Sequence, residues 1–377
     1  MVEAICGQLI PCPIIAPMNK SIFRRYLLPG LVCQSIVIGG GYGTGRELVE
    51  FFLSQGPLGG LLAIGVTTAV FSIVSMVTFE LARVWRAFDY RHFFQKLLGP
   101  GWRLFEGCYL GLLLIVLAVV AAAAGEIVQK TFGAGYWIGV SIVMLGVGGL
   151  VLGGNKTIER FFSLWSLLLY GLYIVFVLWC FKSFGPLISS NLTAEPIGTG
   201  WMVAGVSYAG YNLMAPFVLA TLRLHETRRE TFIAGALTGP IVMIPASLFF
   251  LATVGYYPEI LDEAVPSDYL LTILDSRVFR IAFQVVLIGT LVETGAGLIH
   301  AFNERISGLR ADEDKDLPAW VRPAVAIGLL VIATFVSQVG LINLIAKGYG
   351  TLTWGFIIVY VIPVLTIGVW KLRATHR

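Results

Sequence analysis

Charge is what this sequence has least of. Asp, Glu, Lys and Arg make up 13% of its 377 residues, against about 25% in a soluble domain, while 57% are hydrophobic. A water-soluble protein of mean hydropathy +0.84 would have too little polar surface to cover itself, which excludes soluble enzymes and binding modules. Histidine is rare as well, at four residues. The five cysteines (Cys6, Cys12, Cys33, Cys108 and Cys180) are scattered without metal-ligand spacing, so they read as small buried apolar residues. There is no H-E-x-x-H, no G-x-S-x-G elbow and no histidine cluster, which leaves an intramembrane hydrolase without its chemistry. There is no G-x-x-x-x-G-K-[ST] and no segment of ATPase size, so ATP is not the energy source. No cofactor, no bound metal and no nucleic-acid partner are expected.

Also missing is a secretory signal. Residues 1–17 are apolar and broken by Pro11, Pro13 and Pro17, with no basic stretch before them and no A-x-A-like site after them. They are read as part of a short cytoplasmic tail, 1–19, with Met18 as an alternative start.

What is present is a series of apolar runs, each long enough to cross a hydrocarbon core of about 30 Å at about 1.5 Å per residue. Ten spans are expected, at 27–53, 58–82, 107–131, 136–154, 158–181, 200–222, 232–255, 280–304, 321–339 and 341–369. The fold class is therefore all-α and integral to the lipid bilayer. The positions of basic residues test the count. Twenty of the 26 Lys and Arg fall in 20–25, 83–103, 156–160, 223–229, 305–322 and 371–377, all on the side that ten spans assign to both termini. Lys130, Lys182, Arg277 and Arg280 lie opposite, and Arg46 and Lys347 lie inside spans. Basic residues mark the cytoplasmic side, so a multi-pass protein of the inner (plasma) membrane with both termini cytoplasmic is expected. On the other side, 256–279 is too short and charged to span and reads as one or two short helices over the mouth. The mixed-charge segment 305–320 reads as a solvated loop.

Span one carries Ile38-Gly39-Gly40-Gly41-Tyr42-Gly43-Thr44-Gly45-Arg46-Glu47. Each glycine costs a helix interior about 0.5–1 kcal/mol relative to alanine, so five in seven residues predict a broken helix. A close helix contact of the G-x-x-x-G kind, which Gly39 and Gly43 satisfy, needs fewer. Non-helical backbone at this depth is tolerated where it is buried in protein or lines a cavity. Span six has a counterpart in Gly205-Val206-Ser207-Tyr208-Ala209-Gly210-Tyr211-Asn212, followed by Pro216. Paired interruptions in two halves point to the binding site of an inverted-repeat transporter. Five spans (20–182) precede an extracellular connection at 183–199, five (200–369) follow it, and 370–377 forms a tail. An odd number of spans per repeat forces the halves into opposite orientation. Gly43 and Gly210, and likewise Glu126 and Glu293, are separated by 167 positions, which suggests the register between the halves.

The run Gly39 to Glu47, followed by Phe51-Phe52, resembles the glycine–aromatic–small–glycine–polar–Glu signature of YkvI-type bacterial membrane proteins. These are relatives of the amino acid–polyamine–organocation superfamily. The resemblance implies a LeuT-like five-plus-five inverted repeat, with the site between broken spans one and six and flanked by three and eight. Tyr42 stands where that signature has phenylalanine, and no substrate is implied.

Ionisable groups within spans are costly and are functional candidates by default. Glu293, with Gly289, Gly297 and His300 at helical spacing, is a candidate proton- or cation-binding carboxylate, and Thr290 and Thr294 beside it are candidate sodium ligands. Glu126 joins this ion-coupling set, although Lys130 one turn on would make an ordinary i,i+4 pair with it. For the solute, Glu47 is a candidate ammonium partner and Arg46 its lock or a carboxylate clamp. Gly39, Gly41, Gly43, Thr44 and Gly210 offer close backbone, Tyr42, Tyr208 and Tyr211 could cover a ligand, and Asn212 and Lys347 complete the set. Broken helices offer half-helix N-termini to a carboxylate and freed carbonyls to a cation. The function expected is therefore ion-coupled secondary transport of a small solute, an amino acid or related organic ion, with Na⁺ or H⁺ as coupling cation. A channel, or an intramembrane enzyme or sensor, is the alternative. A channel would carry repeated filter sequences or charged rings, and none is evident.

Overall fold

The computed structural model describes residues 22–153, 155–193, 195–213, 215–311 and 320–375, and these fold as a helical bundle. The expected tail 1–19 and the acidic residues Asp312, Glu313, Asp314 and Asp316 lie outside the described residues. Seven helices are long and apolar enough to cross a membrane on their own. They are Pro57–Trp85, the run Tyr90–Phe132 that contains span three, Leu167–Asn191 of span five, Arg228–Val254, Arg277–Asn303, Val321–Val339 and Leu341–Ala374. The other three expected spans are the short fourth, Tyr136–Leu152, and the two broken ones. Span one is divided into Leu28–Val37, Gly40–Thr44 and Arg46–Phe51. Span six is divided into Trp201–Asn212 and the short turns Ala215–Phe217 and Leu219–Leu224.

Side-chain contacts fix the two ends of the bundle. On the side of the termini, Arg25 pairs with Glu230 at 2.5 Å, and the Arg83 guanidinium donates to the Glu226 carbonyl at 3.1 Å. Lys371 donates to the Lys96 carbonyl at 2.6 Å. Span seven starts there on a capping box, Thr227 accepting from the Glu230 N–H while the Glu230 carboxylate accepts from the Thr227 N–H. An amphipathic helix, Tyr90–Leu98, lies at this end before span three and begins at an Asp89 cap. On the far side, the segment between spans seven and eight forms a cap made of a turn, Glu259–Asp262, and a helix, Pro266–Ile273, as the sequence suggested.

The packing repeats itself when each span is exchanged with the one five later. The first half of span one packs on span seven, and the first half of span six packs on span two. Span four lies on span eight as span nine lies on span three, and span five lies on span eight as span ten lies on span three. Spans two and seven pack on one another, as do three and eight, so these two pairs sit astride the pseudo-symmetry axis. Both broken helices are enclosed between them.

Three details differ from the sequence reading. Span five is longer, continuing through Pro186 to Asn191, so only a short connection separates the halves. Span eight extends to Ala311, into the segment read as a loop, and span ten remains helical to Thr375. The Trp165 indole occupies the space over Gly289, where a Cβ would lie 1.9 Å from it, and donates to the Val286 carbonyl at 2.7 Å. That glycine is therefore a socket for span five.

Candidate functional site between the broken helices

Both breaks use the same backbone turn. Ile38 has φ −73° and ψ 81°, and Leu213, 175 residues later, has φ −71° and ψ 80°. At the first break the Gly39 N–H returns to the Val37 carbonyl at 2.8 Å, a three-residue turn that ends the half-helix. The observed register between the halves is thus set by Ile38 and Leu213. The separation of 167 between Gly43 and Gly210, and between Glu126 and Glu293, does not coincide with it. Gly45 then reverses the chain at φ 82°, a left-handed conformation suited to glycine, and starts the second half-helix with Arg46 and Glu47 in its first turn.

Glu47 is 4% exposed and stands at the crossing. Its Oε2 accepts from the Tyr211 hydroxyl at 2.8 Å, which joins the two broken helices directly. Its Oε1 lies over Gly41, so close that a Cβ there would be 2.1 Å away. Tyr211 stacks on Tyr349 of span ten, with ring centroids 4.6 Å apart and 21° between planes. Tyr208 meets Tyr211 edge-on at 5.7 Å, Phe51 at 5.7 Å and Phe52 at 4.7 Å. The Tyr208 hydroxyl in this cluster is buried without a hydrogen-bond partner, while the Asn212 amide faces the Glu47 carboxylate and the Tyr42 hydroxyl faces that of Tyr173. Buried polar groups are nearly always paired, so an orphaned hydroxyl near a buried carboxylate marks a place built to meet polar atoms.

The glycines at the two breaks serve close packing on spans eight and ten, and the threonines bond to nearby carbonyls. Thr44 donates to the Gly41 carbonyl at 2.8 Å and steadies the turn. Gly39 lies against Thr294 of span eight, a Cβ there being 3.5 Å from the threonine methyl and 4.0 Å from Oγ1. Gly43 faces Leu287 of the same span, and Gly210 faces the Thr353 carbonyl and Ile357 of span ten rather than Glu47. The Thr290 hydroxyl donates to the Val286 carbonyl and the Thr294 hydroxyl to the Thr290 carbonyl.

The remaining charged candidates lie elsewhere. Arg46 is buried but turns from Glu47 to the far-side cap, donating to the carbonyls of Leu261 at 2.6 Å and Glu263 at 3.0 Å and pairing with Glu50. Lys347 is exposed, on one face with exposed Asn343, Thr351 and Trp354, and is not brought to the crossing. Glu293 is half-buried and faces Tyr170 of span five. Glu126 is half-buried beside Tyr136, and Lys130 pairs with Glu263 of the cap at 2.8 Å rather than with Glu126. The aromatic wall from Tyr349, Phe51 and Phe52 was not among the expected site residues. For Tyr349 the available signal was helical period: it lies two positions from Lys347, which puts it on the opposite, buried face.

Fold and site together define a ten-span, LeuT-like inverted-repeat membrane protein with a polar–aromatic cluster at its two breaks. Solved structures of the same fold include a manganese transporter from Eremococcus coleocola, 13% identical, with a TM-score of 0.55 over 93% of this chain and 81% of that one. A Na⁺-coupled sialic acid symporter has a TM-score of 0.56 and 13% identity, over 92% and 81% of the two chains. In sequence, the chain is similar to the uncharacterized membrane protein YkvI of Bacillus subtilis, at 23% identity over 321 residues, which cover 83% of this chain and 88% of the relative. No protein-family model matches the chain.

Proposed function

We propose that the chain is an ion-coupled secondary transporter that carries a small organic solute bearing an ammonium group, amino acids and related amines included, by alternating access. The observation that carries this reading is Glu47. A buried carboxylate at the crossing of two broken helices is held by Tyr211 and walled by aromatic rings, and the unpartnered Tyr208 hydroxyl stands near it. A carboxylate with aromatic faces around it suits a substituted ammonium ion, through charge and cation–π attraction. The solved relatives by fold include carriers of a metal ion and of a sugar acid. Among the described residues no three His, Cys, Asp or Glu stand together. The donors at this crossing favour an organic ligand over a transition metal.

Coupling is assigned to a cation at the junction of span one with span eight, where Thr294 touches the break at Gly39. Thr290 lies one turn away, and Glu293 and Glu126 are the candidate proton carriers. The excess of Lys and Arg at the terminal ends assigns those ends to the cytoplasm of a plasma membrane. The test is uptake of labelled amines and amino acids into proteoliposomes under an imposed sodium gradient, a proton gradient or neither. Concentrative uptake driven by one gradient is the expected result. Failure of every solute to accumulate or to exchange would remove the transporter reading.

A further inference from the structure

The geometry points to a net-cationic organic amine, rather than an amino acid, as the solute taken at the Glu47 crossing; this rests on the transporter reading above and narrows its substrate. Three features carry it.

The first is where the Glu47 carboxylate sits. Its Oε1 is seated on Gly41, within the glycine turn of span one. A second carboxylate brought to that turn would lie within a few ångströms of the first. Two negative charges that close, away from water, repel by several kcal/mol even at an effective dielectric of about 20. The protein's own side chain already occupies the place that the carboxylate of an amino acid would need.

The second is the absence of a compensating cation. Among the described residues Glu47 makes no ion pair. Arg46, its neighbour in sequence, is committed to Glu50 and to the carbonyls of Leu261 and Glu263. Lys347 is exposed on the opposite face of span ten from Tyr349. Among the described residues no guanidinium or ammonium group is seen positioned to clamp a solute carboxylate there. A buried unpaired carboxylate is costly, and a cationic solute would relieve that cost where a zwitterion relieves it only in part.

The third is the wall. Tyr211, Tyr349, Tyr208 and Phe51 present ring faces and edges around the carboxylate, with centroid separations of 4.6 to 5.7 Å. Such a wall attracts a substituted ammonium and its carbon skeleton. The unpartnered hydroxyl of Tyr208, which is 0% exposed, and the amide of Asn212 add hydrogen-bonding groups to the same cluster.

Matched pairs isolate the carboxylate: tyramine and tyrosine, tryptamine and tryptophan, histamine and histidine, putrescine and ornithine, cadaverine and lysine. Each is titrated against the purified full chain, with thermal unfolding as the readout, and each is tried as exchanging solute in counterflow. At least one amine is expected to bind ten times or more tightly than its parent amino acid, a difference of about 1.4 kcal/mol. That preference should vanish in Glu47→Gln and persist, at lower affinity, in Tyr211→Phe, which keeps the charge and loses one hydrogen bond. If amino acids bind as well as the amines or better, or if Glu47→Gln leaves the preference intact, the inference is overturned. Counterflow of an amino acid with no amine active would overturn it while leaving the transporter reading in place. Silence from all ten compounds in both assays would count against the two together.

Discussion

The two breaks reach the same backbone turn by different chemical means. Ile38 and Leu213 share φ and ψ to within a few degrees. Yet the first break is built of glycine, reverses through a left-handed Gly45 and folds an acidic side chain back over itself. The second ends in Tyr211 and Asn212 and passes to a proline-containing turn at Ala215–Phe217, with no carboxylate of its own. Span one supplies charge and close backbone, whereas span six supplies hydroxyl, amide and ring. The difference teaches that pseudo-symmetry governs the path of the chain and not the chemistry. A single asymmetric carboxylate, met by Tyr211 from the other repeat, is what sets the two breaks apart.

Substitutions at four positions would break or sharpen that contrast. The largest effect is expected from Gly45→Ala. A side chain in the left-handed conformation costs about 1–2 kcal/mol, and its Cβ would lie 2.7 Å from Phe249. With overpacking of about 1–3 kcal/mol added, thermal unfolding should register a loss of about 2–5 kcal/mol. Gly41→Ala should cost about 1–3 kcal/mol of stability. It should also displace the Glu47 carboxylate, and ligand affinity measured on the folded fraction should fall at least about tenfold. Gly210→Ala, the equivalent insult in span six, meets the Thr353 carbonyl at 3.2 Å and Ile357 at 3.1 Å and should cost about 1 kcal/mol without altering affinity. If it impaired binding as much as Gly41→Ala, the assignment of chemistry to span one would fail. Lys347→Gln is the smallest: uptake should stay within about twofold of wild type, as for most exposed substitutions. A larger loss would return Lys347 to the site.

Much of this was legible in the sequence because membranes narrow the choices. Apolar run length and the placement of Lys and Arg located the spans, and the glycine cost located the first break before any coordinates. The place of Glu47 at the crossing followed from its position just after that break, and those of Tyr211 and Asn212 from the polar island in span six. What was not legible required neighbours distant in sequence. Arg46 and Glu47 are adjacent, and only the position of the cap decides that the arginine turns outward to Leu261 and Glu263. Lys130 likewise leaves its i,i+4 neighbour for Glu263 because the cap is folded over it. The fit of Trp165 over Gly289 is a contact between spans five and eight that no local pattern encodes. The register of the halves was misread for a related reason: Gly43 and Gly210 are alike in type but pack on spans eight and ten respectively, and so are not counterparts.

Solute counterflow in proteoliposomes, comparing wild type with Glu47→Gln at matched reconstitution and matched unliganded melting temperature, tests the role of this carboxylate most directly. Exchange of an amine in wild type, reduced at least about a hundredfold in Glu47→Gln, a loss of about 2.7 kcal/mol, is the result the structure predicts. Undiminished exchange by a folded Glu47→Gln protein would contradict it and move the solute away from the crossing of the two broken helices.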